Sequence, residues 1–274
     1  MPGVREAASP MIKRATMADN RFSERIKNLD ITLFAQILSQ TTDADKKALL
    51  AVQACTRECM DGYVYLEIGS HLGGSIQPHL LDPKCKRIYS IDKRPSCQPD
   101  ERGPTYEYPD NSTERMRSLL AAIDSDGVKK IDCIDADTKF IPPSSIAQVP
   151  NLCFIDGEHT PAAVVADFDF CLKVCAVGAT IVFHDAQTVF RGLRSVVSGL
   201  RRTGRQFSSH AFLDMVYVIC LDASAVRDEL AKFVAQARKD DLWSPRNDLR
   251  LMKWRAMAFK ERASTLGNRL LGRN

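Results

Sequence analysis

Apolar residues in this chain fall into two rhythms. Short apolar runs at residues 63–68, 87–91, 130–134, 152–155 and 180–183 read as buried strands. Between them lie stretches of helical spacing, including 112–123 and 162–175. Strands alternating with helices predict a Rossmann-like, doubly wound α/β fold: a mostly parallel sheet with crossover helices on both faces. The rhythm changes late in the chain. Residues 206–212 and 215–221 are strand-like and separated only by Leu213-Asp214. That gap is too short for a helical crossover, so the pair is an antiparallel hairpin, completing seven strands.

The flanks follow other patterns. Residues 1 to about 28 are polar and basic with no clear period, which predicts disorder or a loose arm. From 30 to 60 the spacing is helical, carried by Ile31, Phe34, Ile37 and Leu38, then Leu49, Leu50 and Val52, with Thr41-Thr42-Asp43 capping the second helix. Beyond about 223 there is no strand signal. Residues 225–237 have helical spacing, and Trp243-Ser244-Pro245 breaks it. The last stretch interleaves Arg246, Arg250, Lys253, Arg255, Lys260, Arg262, Arg269 and Arg273 with Leu249, Met252, Trp254, Met257, Phe259 and Leu266. It fits an amphipathic helix lying on the domain or on a second copy in a homodimer. It also fits a peripheral contact with an anionic surface. The expected organisation is an N-terminal arm and helices over 1–60, the sheet domain over 61–222 and a basic helical extension over 223–274.

Bulk composition narrows the classes. The chain has 274 residues, 45% of them hydrophobic, enough for a sizeable core. Its 38 basic and 34 acidic residues give a formal charge of +4, too mild to imply a nucleic-acid partner. No run approaches the roughly 18 apolar residues of a membrane span, and the N-terminus lacks the apolar core of a signal peptide. Nine cysteines, an odd count mostly at apolar positions, read as reduced thiols in a cytoplasmic protein. Cys55 with Cys59 and Cys171 with Cys175 lack the partners of a zinc site.

The chemistry gathers at strand ends. The first run ends in Glu67 and breaks into Gly69-Ser70-His71-Leu72-Gly73-Gly74-Ser75; the second ends in Asp92. A glycine turn lets backbone approach a ligand, and the next strand supplies a carboxylate for ribose hydroxyls. The acid ahead of the turn would repel a phosphate and suits a cationic ligand such as S-adenosylmethionine. The fourth run leads into Asp156-Gly157-Glu158-His159, and the fifth into His184-Asp185. In an open α/β sheet these ends share one rim, where clustered carboxylates need pairing or a cation. Asp167 and Asp169 read as acids of a helix surface, with orientation of a catalytic residue an alternative for Asp167.

Glu67-Ile68-Gly69, Gly73, Ser75, Asp92, Phe154-Ile155-Asp156-Gly157-Glu158-His159 and Val182-Phe183-His184-Asp185 together resemble the class I S-adenosylmethionine-dependent methyltransferases. The nearest group is the macrocin O-methyltransferase-like sugar enzymes, relatives of catechol O-methyltransferase. The resemblance covers about residues 60–222. It implies that Glu67, Gly69, Ser70, Gly73 and Ser75 hold the amino-acid end of S-adenosylmethionine, that Asp92 takes the ribose, and that Asp137 sits near the adenine. It implies a divalent cation, Mg2+ or another, on Asp156 and Asp185 with His184 beside them, and His159 as general base for methyl transfer to a hydroxyl of a small molecule or glycan. The chain departs from the group at Thr160-Pro161, where an aromatic residue is common, and at Gly178-Ala179, where Gly-Gly is common. A metal-independent methyltransferase, a hydroxylase-like relative and a cofactor-binding scaffold that recruits a partner through its basic tail remain open alternatives.

Overall fold

The computed structural model describes residues 10–94, 96–103, 105–212, 215–234 and 242–270. In chain order the helices α1 (Pro10–Lys27) and α2 (Asp43–Cys59) precede strand β1 (Tyr63–Ile68). Then come α3 (Gln77–Leu81), β2 (Cys85–Ile91), the short strands β3 (Cys97–Pro99) and β4 (Thr105–Glu107), and α4 (Thr113–Ile123). The second half runs β5 (Ile131–Ile134), β6 (Leu152–Ile155), α5 (Pro161–Val174), β7 (Thr180–Phe183), α6 (Phe190–Arg202), β8 (Phe207–Ala211), β9 (Tyr217–Leu221), α7 (Val226–Val234) and α8 (Pro245–Leu270).

Seven strands form one sheet in the order β5-β2-β1-β6-β7-β9-β8. The pairings β5-β2, β2-β1, β1-β6 and β6-β7 are parallel; β9 is antiparallel to both neighbours. The expected sheet and terminal hairpin are both present, although Leu213 and Asp214 lie outside the described residues. Strand residues alternate between two apolar layers. Val64, Leu66 and Ile68 pack with α5 and α6 residues such as Val164, Phe168, Leu193 and Val197. Tyr63 and Tyr65 face the other way, with Val52 of α2, Leu80 of α3, Met116 and Leu120 of α4, and Leu230 of α7. Both faces are covered, which is why the strands read as continuous apolar runs rather than alternating ones.

Two N-terminal expectations are corrected. The arm expected to be loose contains α1. Its Phe22 and Ile26 are buried against Leu50 and Ala54 of α2, with Leu33 and Phe34. Arg57 of α2 lies buried between Asp82 and Asp19 and over the Phe22 ring. Few apolar positions carry this contact, so no clear period marks the helix. The stretch before Thr42 is only a 3-10 turn, Ile31–Phe34, and not a full helix. Thr42 does cap α2, in a reciprocal capping box with Asp45.

The β3–β4 hairpin and α6 were not among the expected elements. The hairpin strands are three residues each and largely exposed, so they carry no burial signal. At the C-terminus the helix after Trp243-Ser244-Pro245 is confirmed as amphipathic and seated on the domain. Leu251 is buried and Trp254 packs against the core, while Leu249, Met252, Met257 and Phe259 remain exposed. No described helix is long and apolar enough to cross a membrane.

Candidate active site

The strand ends build a cleft of about 400 Å³. It is lined by Ile68 and Gly69 after β1, Asp92 and Lys93 after β2, Asp137 and Thr138 after β5, and Gly157 and Glu158 after β6. Gly69 adopts φ +90°, and a Cβ there would lie 2.1 Å from the Asp156 carbonyl oxygen. Only glycine fits, because the turn after β1 presses directly on the turn after β6. Ser70 is buried with its Oγ unpartnered, as is Nε2 of His71. Buried polar atoms of this kind ordinarily find a partner.

Asp92 lines the cleft and accepts backbone N–H bonds from His71 at 2.8 Å and Arg94 at 2.7 Å. A carboxylate offers about four lone-pair sites, so capacity for ribose hydroxyls remains. Asp137 also lines the cleft while accepting the Lys139 N–H at 3.0 Å. Asp167 is not the helix-surface residue expected from its position. It is buried, lines the same end of the cleft and accepts the Thr138 hydroxyl at 2.6 Å. Burial pushes its carboxyl up to about 6.

Glu67 lies elsewhere. It shares the Tyr65 face of β1, is fully buried, and does not line the cleft. Its carboxylate accepts the Tyr65 and Ser75 hydroxyls, each at 2.6 Å. It therefore braces the glycine turn from beneath through Ser75, the residue expected to touch the ligand. Burial raises the Glu67 carboxyl to about 7, against the two hydroxyl bonds that lower it. Folded Glu67 thus holds its proton to higher pH than an ordinary glutamate, which titrates near 4.5. Stability falls as pH rises through that window, by roughly 3 kcal/mol at about 1.4 kcal/mol per pKa unit. In Glu67→Gln the hydroxyls can turn to suit the amide, and this slope is expected to vanish. Urea denaturation at pH 4.5 and pH 8 checks it; equal slopes in the two proteins would refute the buried carboxyl.

A second cluster stands beside the cleft, on the turns after β6 and β7. Ligand atoms of Asp156, His184 and Asp185 lie within 4.8 Å of one another. His184 Nδ1 is 3.2 Å from both Asp156 Oδ1 and Asp185 Oδ2. Asp185 adopts φ +52°, a conformation aspartate tolerates better than most residues. His159 bridges outward, with Nε2 3.0 Å from Asp185 Oδ2 and Nδ1 2.9 Å from Asp100 Oδ2. Burial would lower both imidazole pKa values. The carboxylates outweigh it, raising His159 to about 10 and His184 well above its usual range. Asp185 is held far below the ordinary carboxylate range, since His159 and His184 outweigh its burial. His159, expected as a free base, is therefore an imidazolium at neutral pH in this arrangement.

Residues 66–186 match the family model described as a methyltransferase domain. That match spans less than half of the chain. The sheet order, with the final strand reversed between its neighbours, is that of a Rossmann-like fold. Among curated proteins, the chain is 28% identical over 130 residues to the uncharacterized protein R132 of Acanthamoeba polyphaga mimivirus. The match covers 46% of this chain and 53% of that protein, about half the relative's length. Among solved structures, it is similar to the O-methyltransferase TomG of Streptomyces achromogenes. That likeness has 16% identity and a TM-score of 0.46 over 75% of this chain and 90% of that one. It is also similar to CalS11, a TDP-rhamnose 3'-O-methyltransferase of calicheamicin biosynthesis. There the identity is 14% and the TM-score 0.48, over 78% of this chain and 96% of that one.

Three residues of the site gave no signal in sequence. Asp100 follows β3 in a polar stretch and is held by a two-pronged contact from Arg102, with both bonds at 2.8 Å. Tyr108 follows β4 and meets the His71 ring edge-on at 5.2 Å. Asp45 closes the α2 capping box, and its Oδ2 also lies 3.3 Å from His184 Nε2. Each belongs to an element remote in sequence from the motifs it serves.

Proposed function

We propose that the protein is a methyltransferase that uses S-adenosylmethionine and, with a divalent cation, methylates a hydroxyl of a small molecule or glycan. One observation carries the reading. The turn after β6 supplies both a wall of the cleft, through Gly157 and Glu158, and the Asp156 carboxylate of the metal-competent cluster. Donor and acceptor sites then meet at one backbone turn.

The chain's own residues divide the work. Gly69 permits close approach of main chain to the donor, and Ser70 Oγ is available to it. Asp92 offers oxygens to ribose, while Asp137 and Asp167 face the adenine end. The carboxylates around the rim favour a positively charged donor. Asp156, Asp185 and His184 offer two carboxylates and an imidazole, a donor set that suits a divalent ion. When bound there, the ion would lower the pKa of an adjacent hydroxyl and take over the Asp185 charge that keeps His159 protonated. His159, once freed of its proton, is placed to accept one from the acceptor. Holding the reactants in line supplies much of the rate.

Thermal unfolding with S-adenosylhomocysteine tests the donor site. Stabilisation should reach about 2.7 kcal/mol at about 100 times the dissociation constant; a transition unmoved by the ligand sinks the reading. A metal-independent transfer is the second reading, favoured because Asp45, Asp156 and Asp185 each already meet a histidine nitrogen. Turnover that survives a chelator unchanged would select it.

A further inference from the structure

The N-terminal helices reach the catalytic rim at one point. Asp45, on α2, is fully buried. Its Oδ1 accepts the Met215 N–H at 2.9 Å, and its Oδ2 faces His184 Nε2 at 3.3 Å while closing the Thr42 capping box. The other nitrogen of His184 points at the Asp156–Asp185 pair. A carboxylate acting only as a helix cap has no need of a histidine 139 positions away.

We propose that Asp45 is a positioning residue that makes His184 Nδ1 a metal ligand. Its carboxylate holds the Nε2–H, so that a cation displacing the Nδ1 proton meets a lone pair directed between Asp156 and Asp185. An imidazole that binds a metal through one nitrogen commonly donates its other N–H to a carboxylate, which fixes both tautomer and ring orientation. The resulting set of one nitrogen and two carboxylates selects an ion that accepts imidazole, a first-row divalent transition ion such as manganese, ahead of magnesium. This rests on the cation proposed above and adds the residue that aims its imidazole ligand.

Mn2+ is the probe, because it enters both oxygen-only and mixed sites. The full chain is loaded with Mn2+, and its pulsed electron paramagnetic resonance spectrum is read for a directly bound nitrogen. The wild type should show the imidazole nitrogen, and His184→Gln should lose it. Asp45→Ala should weaken Mn2+ binding about 10-fold or more. Asp45→Asn keeps a single acceptor oxygen for the Met215 and His184 N–H groups and should fall between wild type and Asp45→Ala in Mn2+ binding. Where Asp45→Ala does not fold, Asp45→Ser takes its place; it keeps a hydroxyl for the helix cap but falls short of His184. Bound Mn2+ without a nitrogen signal overturns the proposal and leaves the cation standing. Asp45→Ala or Asp45→Ser within twofold of wild type also overturns it. No Mn2+ binding at all removes both the proposal and the cation.

Discussion

Asp185→Asn is expected to lower kcat at least about 100-fold with divalent ion in excess, while S-adenosylhomocysteine still stabilises the protein. Three roles meet on this carboxylate. It belongs to the metal-competent triad, it fixes His184 Nδ1 at 3.2 Å, and it holds His159 Nε2 at 3.0 Å. An amide keeps the volume but not the charge, so loss of ion binding and loss of a placed proton acceptor combine. Proton transfer alone contributes about 10²–10⁴-fold in typical enzymes. The cleft is lined by Gly69, Asp92 and Asp137 and not by Asp185, so donor binding should survive. The check is methyl transfer measured beside ligand-induced thermal shift. A variant with kcat within threefold of wild type would remove Asp185 from the chemistry. A variant that loses the thermal shift would show that the two sites are not separable.

Gly69→Ala should damage the fold itself. The added methyl would sit 2.1 Å from a backbone oxygen and 2.5 Å from its carbon, and neither atom can rotate away. The position also has φ +90°, which L side chains rarely adopt. Relief requires the turns after β1 and β6 to part, and a loss of about 3 kcal/mol or more is expected, in the range where strain and overpacking combine. For a domain of this size that is a fall in Tm of roughly 6–12 °C. The response to S-adenosylhomocysteine should vanish with it. Scanning calorimetry of both proteins, with and without ligand, decides the matter. An unchanged Tm would mean the two turns do not touch in solution.

The sheet was readable because each strand is a compact apolar run buried on both faces, a signal contained within a few adjacent residues. The same holds for Asp92, Asp156, His184 and Asp185, which follow directly on such runs. Their place at one rim is dictated by parallel pairing, with Ile68, Ile155 and Phe183 level across β1, β6 and β7. What escaped was long-range. Asp45, Asp100 and Tyr108 sit on a helix cap, a polar loop and a short exposed hairpin, and their partners lie far along the chain. The misplacement of Glu67 has another cause. Its motif was read for ligand contact, whereas alternation along β1 puts it on the Tyr65 face, away from the cleft. The helix α1 was missed because two or three apolar contacts suffice to dock it.

The inward turn of Glu67 bears on how β1 finds its place. A strand apolar on both sides has little to fix its phase, since sliding by one position exchanges one greasy surface for another. Here such a slip would strand a carboxyl against Val164 and Phe168 and pull it from the two hydroxyls that receive it. The carboxyl acts as a key: only one seating of the central strand lets it turn, and every neighbouring strand inherits that alignment.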